Sequence, residues 1–276
     1  MVISPIIRNH AIYIAPANAI YTFVPKNACT TLRYAAVMAN ASHDHQNEEQ
    51  TSPQSFDTAM GQIDNYVASP EQIASAAYRF IVLRCPWSRL SSVFLDKVIG
   101  GKRTGRAIRL NAQAQRHSAP VALGLRALHR TGMMPYLDPD RFTFRQFVDL
   151  ISAPSGLEID HHWTPQARFA LDAYDDVFGM HDLGASFTRI TQATGMEIHD
   201  TRDLSGHATH RLMLLEDKCY ADVSMAELSK MKKEGYAPHH RAFYDTELQN
   251  TVKALYKEDM DFYTHHLGSE GLAFSV

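Results

Sequence analysis

The sequence predicts an α/β protein with a central, mainly parallel sheet flanked by helices. Short β-branched and aromatic runs recur along the chain, most of them followed by a segment of helical periodicity. The junctions carry proline or polar residues. The 276 residues suit a single domain over 1–276, and 45% apolar with 21% charged residues is the balance of a globular chain, not a disordered one.

Each element follows from its residues. Ile20 to Val24 reads as a buried strand that stops at Pro25. Leu32, Ala35, Ala36 and Ala39 then fall at helical spacing, with Thr30 or Thr31 available as the cap. His43 to Ser55 is polar, lacks apolar periodicity and contains Pro53, which predicts an exposed loop. Phe80 to Leu83 is a second strand, ending near Pro86, after which Leu90, Val93, Phe94 and Val98 follow a helical period. Residues 143–152 form a helix opened by Thr143, and Phe142, Phe144 and Phe147 read as core. Asp175 to Phe178 is a strand, and a helix follows over 182–193. One last helix is predicted over about 245–265, with Leu248, Val252, Leu255, Met260 and Tyr263 apolar.

Residues 98–137 depart from this grammar. They hold Lys102, Arg103, Arg106, Arg109, Arg116, Arg126 and Arg130 and no acidic residue, a local positive field in a chain of net charge −3. Two readings stand, a solvated basic helical face or an anion-facing surface beside the site. The overall charge offers no reason to expect nucleic acid. No run approaches the ~18 apolar residues of a membrane span, and no basic-then-apolar leader is visible. Cys29, Cys85 and Cys219 are too scattered for a disulfide framework. A cytoplasmic protein is expected, with no oligomeric state legible.

The strand–loop–helix at residues 20–39 carries the first chemical signal. Amides at a helix start lack internal partners, and the helix dipole adds positive character, so a loop feeding such a start binds phosphate. Lys26 adds a full charge; Thr30 and Thr31 add hydroxyls. A nucleotide-triphosphate loop would read G-x-x-x-x-G-K-[ST], which does not occur here. Four histidine pairs (His43/His45, His207/His210, His239/His240, His265/His266) lack a complete metal-ligand spacing, so no metal is expected.

Val24 to Leu32 resembles the 5′-phosphosulfate loop of the carbohydrate (family 2) sulfotransferases, V-P-K-x-[AG]-C-[ST]-[TN]. Arg84-Cys85-Pro86-Trp87-Ser88-Arg89-Leu90-Ser91-Ser92, continuing to Lys97, resembles that family's R-D-P-[FY]-x-R-L-x-S motif. Asp160 to Gln166 resembles its D-x-H-W-x-P-Q signature. Weaker echoes at Tyr174–Leu183 and Leu255–Met260 extend the likeness over about residues 20–263.

The resemblance implies a P-loop-NTPase-like three-layer fold and transfer of a sulfuryl group from PAPS (3′-phosphoadenosine 5′-phosphosulfate) to a hydroxyl, with glycans as the expected acceptors. It implies that Asn27, Ala28, Cys29, Thr30 and Thr31 cradle the phosphosulfate, that Lys26 stabilises the leaving charge, and that Arg84 and Ser92 hold the 3′-phosphate. His162, not His161, occupies the family's histidine position. It is expected either to take the acceptor's proton or, with Trp163, only to order the pocket. Three departures stand out: Cys85 replaces the family's aspartate, Ser88 a glutamate, and Leu95 a polar or basic residue. Cys29 and Cys85 are read as packing thiols, with a redox-sensitive site as the alternative. Two other functions compete: a nucleotide-dependent kinase on a related fold, and a non-catalytic protein that binds anionic glycans.

Overall fold

A computed structural model describes residues 4–45, 55–99, 141–202, 204 and 211–276. The basic window, save Val98 and Ile99, lies outside the described residues, as do His207 and His210. The chain forms two compact units, each gathered from separate segments. One comprises Met1–Cys85, Pro165–Ala208 and Asp261–Gly271; the other comprises Pro86–Thr164, Thr209–Met260 and Leu272–Val276.

The first unit carries a four-stranded sheet in the order β1 (Ala11–Ile14), β2 (Ala19–Thr22), β3 (Tyr78–Leu83) and β4 (Asp176–Gly179). β1 runs antiparallel to β2, while β2–β3 and β3–β4 are parallel, as the alternating elements predict. Successive side chains leave opposite faces of a strand, and the core divides accordingly. Ile12, Ile14, Tyr21, Phe80 and Val82 pack with Leu32, Ala35 and Ala36 of the Cys29–His45 helix and with Ile190 of the Leu183–Thr194 helix. Ala11 and Ile20 pack instead with Ala68, Ile73 and Ala76. Each fully buried Ile, Leu or Phe contributes about 1.5–3 kcal/mol over its exposed state. The sheet is therefore covered on both sides, and its strand ends present the loops that matter below.

The Cys29–His45 helix corrects two expectations. It begins at Cys29, so Thr30 and Thr31 lie inside its first turn and do not cap it. It also runs through His45, so His43 to His45 are helical and not part of a loop. Residues 46–54 lie outside the described residues, and Ser55 caps the next short helix, its side chain accepting from Thr58 N.

The second unit is mainly helical. The Pro86–Val93 helix runs directly into a π-helical turn, Phe94–Val98. Thr143 caps the Phe144–Ser152 helix through a reciprocal box with Gln146, as the sequence predicts. Phe94, Phe144, Phe147 and Phe243 form a ring cluster with centroids 5.0–5.9 Å apart for the pairs Phe144–Phe243, Phe94–Phe144, Phe94–Phe147 and Phe94–Phe243. Two short strands, β5 (Met213–Leu215) and β6 (Tyr236–Pro238), pair in parallel. The single helix expected over 245–265 is two, Thr246–Leu255 and Lys257–Leu267. The break falls at Tyr256 (φ −105°, ψ 32°), whose buried hydroxyl donates to Trp163 O at 2.6 Å. Among the described residues no helix is long and apolar enough to cross a membrane.

Candidate active site

In the first unit, the loop from Val24 to Ala28 links β2 to the Cys29–His45 helix. Asn27 N donates to Val24 O at 3.2 Å, closing a tight turn. Lys26 (φ 75°) and Ala28 (φ 53°) occupy the left-handed region, where an L side chain costs about 1–2 kcal/mol relative to ordinary backbone. Asn27, between them, does not. Such alternation turns successive amides to one side and makes an anion-binding concavity. Among the described residues, the amides of Ala28, Cys29, Thr30 and Thr31 donate to no backbone acceptor, while Leu32 N returns to Ala28 O at 3.1 Å. Strain and available amides meet at Ala28.

The loop is pinned from behind. The buried Asn27 side chain donates from Nδ2 to Val82 O and to Gln166 Oε1, both at 2.9 Å. Gln166 Oε1 also accepts from Arg84 N at 3.1 Å, and its Nε2 donates to Arg84 O at 2.7 Å. Arg84 Nη1 in turn donates to Lys26 O at 3.1 Å. Arg84 thus sits just beyond β3 and reaches the loop's own backbone. Cys85, standing where the family pattern has aspartate, is buried and in no disulfide. Thr31 is held too: its hydroxyl pairs with that of Thr201 at 2.8 Å, both buried. The Thr31 hydroxyl is therefore paired with that of Thr201, and either oxygen can be the donor.

In the second unit, Ser92 is half-buried in the last turn of the Pro86–Val93 helix, about two turns from its start, as its spacing predicts. Arg89 on the same helix is buried, and its fork holds main chain. Nη1 donates to Thr164 O at 2.9 Å and Nη2 to His162 O at 3.1 Å, with Asp259 Oδ2 3.9 Å from Nη1. His162 Nδ1 lies 2.5 Å from Asp160 Oδ1, which also accepts from His162 N at 2.9 Å. Burial pushes the Asp160 carboxyl up, but the bonds from the His162 ring and amide, with the neighbouring imidazole charge, outweigh it and hold it low. The bond to Asp160 fixes the ring with Nδ1 as donor and Nε2 as acceptor.

The loop around that pair is well anchored. Trp163 Nε1 donates to Gly156 O at 2.9 Å, and the Thr164 hydroxyl donates to Leu157 O at 2.9 Å. Gly156 approaches the preceding helix so closely that a Cβ there would lie 2.5 Å from Ile151 O. His161 is exposed, with its ring stacked on that of His162 at 4.2 Å. Of the predicted site residues, Lys26 to Thr31 and Arg84 come together in the first unit. Ser92 and His162 belong to the second. Three residues were quoted in the motifs without a role: Gln166, Arg89 and Asp160. Their signal was an uncharged or paired polar residue inside an otherwise buried motif, a pattern that only contacts explain.

The sequence pattern of the sulfotransferase family matches residues 9–266 of the 276. The chain belongs to the sulfotransferase family. This sulfotransferase is therefore an enzyme of sulfuryl transfer, and the match covers both compact units and all three motifs. No curated protein and no solved structure matches it.

Proposed function

We propose that this sulfotransferase uses PAPS as donor and transfers its sulfuryl group to a hydroxyl of a carbohydrate. The observation that carries the donor reading is the loop at Lys26–Thr31. It combines left-handed backbone at Lys26 and Ala28 with four amides that, among the described residues, donate to no backbone acceptor, and it is braced by Asn27, Arg84 and Gln166. A cradle of main-chain donors with a lysine fits an anionic phosphosulfate.

Bound PAPS supplies the activated sulfuryl group. Lys26 and the amides of residues 28–31 stabilise the negative charge that grows on the departing phosphate oxygen, the Asn27 amide being spent on Val24 O. Arg84 and Ser92 bind the 3′-phosphate, which the forked donors of an arginine suit. His162 Nε2 accepts the acceptor hydroxyl's proton as the new O–S bond forms in line with the one that breaks, and Asp160 holds the ring and balances the imidazolium. The carbohydrate acceptor rests on the three-motif likeness alone.

A thermal-shift comparison of PAP, AMP and ATP tests the donor assignment. Selective stabilisation by PAP is expected, about 2.7 kcal/mol at 100 times its Kd. Equal stabilisation by AMP overturns the 3′-phosphate role of Arg84 and Ser92. Labelled-donor assays against acidic and neutral saccharides test the acceptor class, and turnover on none of them would sink it.

A further inference from the structure

We propose that Asp160, His161 and His162 form a binding site for a borderline divalent cation such as Zn²⁺, and that filling it switches the enzyme off. One ligand atom from each of the three residues lies within 4.8 Å of the others. Two imidazoles and a carboxylate are the donor set that Zn²⁺ and Cu²⁺ take, with a position left for water. The loop that carries them is already fixed, since Arg89 holds the carbonyls of His162 and Thr164 and Trp163 is tied to Gly156 O. Little backbone freedom remains to be lost on binding.

His161 is the residue that the transfer scheme leaves unused. It is exposed, yet its ring lies against the His162 ring, 4.2 Å between centroids and 29° between planes. That placement brings a second imidazole to the Asp160–His162 pair.

The chemistry of inhibition follows from either nitrogen of His162. A cation on Nε2 takes the lone pair that would accept the proton. A cation on Nδ1 takes the lone pair of the other tautomer: the ring's single proton leaves the bond to Asp160 and ends on Nε2, so the ring stays neutral with its one N–H there. In both cases Nε2 no longer acts as a base. Cation binding stands on the cluster itself; the inhibition rests on the reading of His162 as the base.

Equilibrium dialysis of the full-length protein with ZnCl₂, wild type against His161→Ala, tests the site. Wild type is expected to bind one more equivalent than the variant. Zn²⁺ should abolish wild-type turnover reversibly, with activity restored by EDTA, while His161→Ala keeps basal turnover and needs about 10-fold more Zn²⁺ or higher for the same loss. An unchanged melting temperature confirms that the variant is folded. Equal stoichiometry in the two proteins overturns the site. An extra equivalent that leaves turnover intact overturns the switch and counts against His162 as the base, not against the site.

Discussion

Gln166 clamps Arg84 by both of its backbone groups, accepting from Arg84 N at 3.1 Å and donating to Arg84 O at 2.7 Å. The same Gln166 oxygen accepts from Asn27, so one fully buried amide joins the end of β3 to the phosphate-type loop. Gln166→Ala would leave these buried groups without that partner, at about 1–3 kcal/mol for each one not re-satisfied. Lower stability in urea unfolding and a raised KM for PAPS are expected. Wild-type values for both would show the clamp to be redundant.

Lys26→Ala removes the cation from the loop but leaves its amides. The proposed role predicts that kcat falls roughly 10²-fold or more while PAP still stabilises the protein. Near-normal turnover would mean that another group takes up the leaving charge.

Asp160 and His162 are proposed to act as one unit. Asp160→Asn should lower kcat by about 10²-fold, and the double variant Asp160→Asn/His162→Ala should be no slower than His162→Ala alone. Steady-state kinetics of the three variants decides. Additive losses would separate the two residues and argue for an ordering role of His162.

Ala28 sits at φ 53°. Ala28→Val places a β-branched side chain in the left-handed region and should lower stability by about 1–2 kcal/mol or more, whereas Ala28→Gly should not. Thermal melts of both variants check this. Equal melting temperatures would mean that the loop relaxes to ordinary backbone without cost.

Asp245 caps the Thr246–Leu255 helix, accepting from Leu248 N at 2.9 Å, and receives Arg145 Nη2 at 2.5 Å. The Arg145 bond first, and the Leu248 amide second, hold its carboxyl below the ordinary range. A lowered folded value means that the unfolded chain binds the proton more readily. The stabilisation is thus present above about pH 4 and lost as pH falls through the folded value. Asn keeps the cap but not the charge, so Asp245→Asn should melt lower than wild type at pH 7, with the gap closing in acid. A pH-independent gap in differential scanning calorimetry would refute this.

Much of the sheet was legible because β2, β3 and β4 are short β-branched or aromatic runs bounded by proline or polar residues. β1 was not read, although Ala11–Ile14 matches β2 in length and residue type; its pairing with β2 is what identifies it. The break at Tyr256 was hidden because apolar spacing continues across it, and the bond that ties its hydroxyl there runs to Trp163, 93 residues away. The site divides the same way. Lys26, Arg84, Ser92 and His162 stood out by motif. Gln166 did not, because its partner Asn27 lies 139 residues distant. Arg89 reads in sequence as one more cation and is buried in the structure.

Arg89 grips carbonyl oxygens, not the side chains that project beyond them. Support and chemistry are therefore separable in this loop: any residue at 162 or 164 offers the same oxygen to the guanidinium. Position 162, where the proposed base stands, is open to exchange, by drift or by design, without dismantling its mount, whereas a one-residue insertion between 162 and 164 would move one of the two oxygens out of the fork.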